Sequence, residues 1–193
     1  IVDLPSGVQF VPGASGLAKL AQLSEFQRIA VMKQLSALES DNDLIVVDTA
    51  AGIGHDVLHF ACESDTALVV TTPEPTAVAD GYAVIKLLAR YGCEGEIGLL
   101  VNMAPSRGEA RATYERISSV ARRFLGTRLL DAGYVLADPK VPEAVRKRRP
   151  FVLEYPRCSA SRCLAALAAK LSAGAPLLDK KEGFFKRVVN WFA

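Results

Sequence analysis

Residues 43–88, DLIVVDTAAGIGHDVLHFACESDTALVVTTPEPTAVADGYAVIKLL, constrain the fold more than any other part of the chain. Leu44 to Val47 form a short apolar run with three β-branched residues, the pattern of a strand buried on both faces of a parallel sheet. It ends on Asp48, followed by the small-residue turn Thr49, Ala50, Ala51, Gly52. In open α/β sheets, that edge is where ligands bind. Ala67 to Thr72 repeats the apolar run and leads through Pro73 and Pro75 into a helix expected over Ala77 to Arg90. Two strands, each followed by a polar tip and a helix, make a βαβ unit and predict a doubly wound, mostly parallel α/β sheet with helices on both faces.

The flanking sequence extends that pattern. Val8 to Val11 is expected as a strand, Ser15 to Gln22 as a short helix, and Ser24-x-x-Gln27 as a capping box opening another helix that ends at Glu39 to Asp43. After Gly54, Val57, Leu58, Phe60 and Ala61 mark a helix. Ile97 to Val101 is a further strand delivering Asn102, Glu109 to Phe124 a helix, Ala132 to Leu136 a last strand, and Ser159 to Leu171 a final core helix. Half the residues are hydrophobic and 23% charged, enough for one sizeable core. The net charge of +2 excludes a globally basic nucleic-acid binder, and no run of about 18 apolar residues marks a spanning helix. No signal peptide is visible. Cys62, Cys93, Cys158 and Cys163 contain no CxxC pair and read as reduced core residues of a cytosolic protein, with Cys158 and Cys163 near enough in sequence to meet. His55 and His59, four apart without a third ligand, read as helix-surface residues rather than a metal site.

DTAAGIG followed by VVTTPEPTAVADGYAVIKLL strongly resembles the deviant Walker ATPases of the MinD/ParA type, and within them the flagellar-number regulators of the FlhG type. The resemblance implies a P-loop NTPase fold of the SIMIBI class, with ATP and Mg²⁺ as cofactors. It places Asp48 at the Walker B position, holding Mg²⁺ through water, and Gly52 in the switch that reports the γ-phosphate. Asn102 would read adenine, whose amine and ring nitrogen suit one amide. Leu136, Ala137 and Asp138 stand where the family carries an Ile-Pro-x-Asp loop against the base; here leucine replaces the proline. Family members open with a glycine-rich loop and a signature lysine. The nearest stretch here, PGASGLAK at residues 12–19, lacks the Gly-Lys-Ser/Thr ending. The chain is therefore expected to be N-terminally incomplete, to contain no catalytic residue of its own and not to hydrolyse ATP unaided, hydrolysis belonging to a longer parent.

Two further stretches bear on partners. Arg146, Lys147, Arg148 and Arg149 form the strongest local cation cluster, open to three readings: a solvated helix end, an anionic lipid contact or, less favoured, nucleic acid. The arginines on the outer face of the Glu109–Phe124 helix read mainly as solvated. Beyond Gly174 to Pro176, Phe184, Phe185, Val188, Val189, Trp191 and Phe192 share one helical face, opposed by Lys186, Arg187 and Asn190. That is the pattern of an in-plane interfacial helix, and equally of a terminal helix docked on its own domain. It resembles the membrane-targeting helix of MinD and FlhG. The expected organisation is a nucleotide-binding domain over residues 1–173, a linker over 174–179 and a membrane helix over 180–193.

The resemblance implies an ATP-dependent homodimer that is cytoplasmic and peripheral on the inner face of the cell membrane. A partner such as an SRP-type flagellar GTPase would fit. Division-site regulation, DNA partition and a non-hydrolysing membrane adaptor are the alternatives.

Overall fold

The computed structural model describes residues 2–4, 7–12, 37–93, 95–173 and 183–191, with the side chains of 56 and 189–191 outside it. The expected helix over 15–22, the helix expected from 24 as far as residue 36, the PGASGLAK stretch apart from Pro12, the linker 174–179 and Phe192 lie outside the described residues. The chain divides into two compact units, Ile1–Ile45 with Lys180–Ala193, and Val46–Asp179.

In the first unit, β1 (Val2–Asp3) pairs antiparallel with β2 (Gln9–Phe10). Gly7, at φ 78°, donates its N–H to the carbonyl of Leu4 in the connecting turn, a conformation that glycine adopts without strain. Residues 37–41 are helical. α7 (Phe184–Trp191) is helical as its apolar spacing predicts. It is also docked: Val188 is buried, and the Phe185 N–H donates to the Glu39 carboxylate at 2.8 Å. A carboxylate at a helix N-terminus meets unpaired N–H groups and the positive end of the dipole, so Glu39 both caps and orients α7.

The second unit carries a parallel three-stranded sheet in the order β3 (Thr66–Thr71), β4 (Glu96–Ala104), β5 (Leu130–Leu136). α1 (His55–Glu63) precedes β3, and α2 (Pro75–Tyr91) and α3 (Arg107–Leu125) connect β3 to β4 and β4 to β5. After β5 come α4 (Lys140–Arg146), α5 (Phe151–Glu154) and α6 (Ser159–Ala173). Side chains alternate between two cores. Ala67, Val69, Ile97 and Leu99 face Leu58 of α1, Ile85 and Leu88 of α2, and Ile117 and Ala121 of α3. Leu100, Ala132 and Val135 face Ala160 and Leu167 of α6. Helices thus cover both faces, and the sheet is doubly wound as expected. α2 ends at Gly92, at φ 70°, and α3 opens on Ser106, whose hydroxyl accepts from the Glu109 N–H.

The TTPEPTAVADG motif has a packing reason. Thr71 is buried and donates its hydroxyl to the Ala77 carbonyl at 2.8 Å. A Cβ at Gly81 would lie only 3.3 Å from the Thr71 Cβ. Glycine therefore sets how closely α2 approaches β3. Gly81→Leu is expected to overpack this contact and lower stability by about 1–3 kcal/mol, read as a shift in the denaturant midpoint at unchanged slope.

Two expectations fail. Leu44 to Val47 form no strand and are exposed, Val46 at 79%. An apolar run becomes a buried strand only where a neighbour satisfies its N–H and C=O groups and layers cover both faces. Among the described residues, no strand pairs with it. The cysteine reading is also corrected: Cys62 and Cys93 are joined as a disulfide with Cα atoms 4.5 Å apart, whereas Cys158 and Cys163 are free.

Candidate nucleotide-binding edge

Because β3, β4 and β5 are parallel, their C-terminal ends share one edge, and each strand's sequence supplies what stands there. On β4, the apolar run yields to Asn102, half-buried, whose Oδ1 accepts the Met103 N–H at 2.9 Å. Met103 follows in left-handed backbone at φ 54° with its side chain exposed. Such a conformation in a non-glycine residue costs of order 1–3 kcal/mol and clusters at functional sites. On β5, Leu136 is in register with Ala104, and the Ala137 N–H donates to the Ala104 carbonyl at 2.9 Å. The structure thereby brings Asn102 and the segment Leu136 to Asp138 to one edge on adjacent strands.

Asp138 has a role that sequence reasoning missed. One carboxylate oxygen accepts the Lys140 N–H at 2.9 Å, and the other the Ala160 N–H at 3.3 Å. It therefore ties the starts of α4 and α6 together, and these bonds, that to Lys140 foremost, hold its pKa below the ordinary carboxylate range. A cleft of about 550 Å³ opens beside it, walled by Lys140, Arg157 and Arg162. The available signal was its position just before a helix, where aspartate is favoured.

Asp48 and Gly52 stand differently. Asp48 is exposed and follows the unpaired 44–47 segment, so no strand pairing positions it. Gly52 has φ 116°, with nothing within 4 Å of a notional Cβ, an open turn that only glycine adopts easily. Among the described residues, no group of three His, Cys, Asp or Glu gathers as a metal site. A lone exposed carboxylate beside an open glycine turn still fits Mg²⁺ held mainly by water and phosphate.

The cation cluster is only partly available to a partner. Lys147 contacts Glu154 at 3.0 Å and Glu143 at 3.4 Å, and Arg149 contacts Glu154 at 3.3 Å. The Tyr155 hydroxyl donates to Glu143 and accepts from Lys147. Arg146 and Arg148 remain exposed. On α3, Arg111 is taken up by Glu115 at 2.8 Å. Lys140 and then Tyr155 pull the Glu143 pKa from 4.5 to about 2, and Lys147 and Arg149 lower that of Glu154. A carboxylate depressed in the folded state contributes stability above its unfolded pKa and loses it as pH falls through the folded one. The urea midpoint is therefore expected to fall as pH drops from about 4.5 to about 2, and to fall less in Tyr155→Phe.

Of the apolar face assigned to a membrane, Val188 is buried and Phe184 and Phe185 are half-buried, their rings edge to face at 5.1 Å. The side chains of Val189 and Trp191, like Phe192, lie outside the described residues. No helix among the described residues is long and apolar enough to cross a membrane.

No family model matches the chain. Individual proteins do. Antiactivator FleN of Pseudomonas aeruginosa is 37% identical over 88% of this chain and 60% of its own length. The flagellum site-determining protein YlxH of Helicobacter pylori is 32% identical over 99% of this chain and 67% of its own. A chain of the Aquifex aeolicus MinC:MinD cell division protein complex superposes with a TM-score of 0.57 at 24% identity, covering 76% of this chain and 59% of that one, which concerns the fold alone. The chain thus spans roughly three-fifths to two-thirds of these relatives. Sequence likeness over nearly its whole length, on a MinD-like α/β sheet, shows that the chain belongs to the FlhG group of the MinD/ParA family.

Proposed function

We propose that this chain is the greater part of a MinD-type ATPase that controls the placement or number of flagella. The observation that carries the nucleotide reading is the shared edge of β4 and β5, where the bond from the Ala137 N–H to the Ala104 carbonyl sets Asn102 beside Leu136 to Asp138. Asn102 offers a donor and an acceptor to adenine. Leu136 and Ala137 supply apolar surface and backbone groups, and Asp138 holds that loop by bracing α4 and α6. Asp48 would hold the water shell of Mg²⁺, which when bound neutralises phosphate charge, and Gly52 would let backbone approach the γ-phosphate. The flagellar assignment is supported by the names of the FleN and YlxH relatives.

In this reading, ATP drives a homodimer that attaches to anionic lipid through α7. A single short helix binds weakly, and two presented together gain through effective concentration. Because Val188 is buried and Glu39 holds the α7 N-terminus, attachment requires the helix to leave its contacts. An SRP-type flagellar GTPase is the partner this role suggests. The test is titration of MgATP into the full-length protein, followed by calorimetry and by sedimentation with anionic vesicles. Saturable binding that produces dimer and vesicle attachment is expected. Absence of saturable binding would remove the nucleotide reading, and binding without vesicle attachment would remove the membrane part.

A further inference from the structure

We propose that Cys62 and Cys93 are a reversible redox-modification site, at which a small-molecule disulfide such as glutathione disulfide joins the end of α1 to the end of α2. The placement comes from the backbone. Cys62 lies in the last turn of α1, and α2 closes on Gly92 in left-handed conformation, with the Cys93 N–H reaching back to the Leu88 carbonyl. That turn brings Cys93 against Cys62, and both pack at the rim of the core built on Leu58, Ile85 and Leu88. The Cα separation of 4.5 Å lies within the range a disulfide spans.

Reversibility follows from access. Both cysteines are half-buried and Cys93 is preceded by the exposed residues Tyr91 and Gly92, so the pair stands at the rim of the core rather than enclosed within it. Bonds that are accessible are the labile ones, while enclosed structural disulfides resist reduction. In formation, one cysteine thiolate attacks the small disulfide, releasing one thiolate and leaving a mixed disulfide. The second cysteine thiolate then displaces the other small thiolate. The two protein thiols lose two protons and two electrons, and the small disulfide is reduced to two thiols.

The consequence lies in α1. This nine-residue helix begins directly after the Asp48 to Gly54 turn, and its buried anchors are Leu58 and Phe60. A helix held by so few buried residues opens locally at low cost. A covalent link at its far end removes that freedom when the pair is oxidised and restores it on reduction. The bond's existence does not depend on what the turn binds.

The experiment equilibrates the full-length protein in glutathione buffers of graded ratio, traps thiols by alkylation, maps disulfides by peptide mass, and measures amide exchange over residues 55–63 in both end states. The expected result is a Cys62–Cys93 bond that forms and breaks within the series, with α1 amides exchanging about tenfold or more faster when reduced. Cys93→Ser should exchange like the reduced wild type. A pair that stays reduced throughout, a bond that no ratio reduces, pairing only with Cys158 or Cys163, or equal α1 exchange in both states would each overturn the proposal. So would Cys93→Ser exchanging like the oxidised protein.

Discussion

Ile85→Ala lowers the free energy of unfolding by about 2–5 kcal/mol, the cost of removing a buried aliphatic side chain together with the cavity left behind. Ile85 is fully enclosed in the cluster where α1, α2 and α3 meet the sheet, in the company of Leu58, Leu88, Leu99 and Ile117. Those neighbours lie on four different elements, so no single movement can refill the space, and the upper half of the range is expected. Against a total of about 5–15 kcal/mol for a domain, this is a large fraction. Chemical denaturation checks it, with Val70→Ala as the comparison. Val70 lies on β3 but is 53% exposed, and its truncation should stay within about 0.5 kcal/mol. Equal losses at the two positions would mean that this core is not where stability resides.

The contrast between Val70 and Ile85 also shows what could be read from sequence. β3 and β4 were legible because each is an apolar run whose alternate residues serve two cores, β5 through Ala132 and Val135 of the second core, and the helices between them carry apolar residues at helical spacing. Leu44 to Val47 has the same composition and the opposite fate. Burial of a strand depends on a hydrogen-bonded neighbour, and a local pattern cannot say whether one is present. The same limit hid the Cys62–Cys93 pair, 31 residues apart and joined only because Gly92 turns the chain beneath α1. It hid the Glu39 cap on Phe185 as well, a contact across 146 residues. Gly81 was a readable signal left unused: a glycine inside a helical pattern costs stability unless a close packing contact needs it. Asp138 is legible from its place before a helix, but both its oxygens are engaged by backbone N–H groups, so its first duty is to shape the loop.

Asp48→Asn is expected to lower MgATP turnover of the full-length protein by about 10–100-fold, the range for removing a group that acts on a metal through its bound water. The substitution keeps size, removes the charge and turns one acceptor oxygen into an N–H donor. Asp48 is exposed and belongs to neither core of its unit. Stability should therefore change by less than about 0.5 kcal/mol, which separates loss of function from loss of fold. The mechanism also specifies how the loss appears. If the carboxylate stabilises the Mg²⁺ shell, the variant needs more Mg²⁺ to reach half-maximal rate. A carboxylate needed only to shape the Thr49 to Gly52 turn would instead lower the rate equally at all Mg²⁺ concentrations. Turnover indistinguishable from wild type across a Mg²⁺ titration would remove Asp48 from the site, leaving the edge formed by Asn102 and Leu136 to Asp138 to stand by itself.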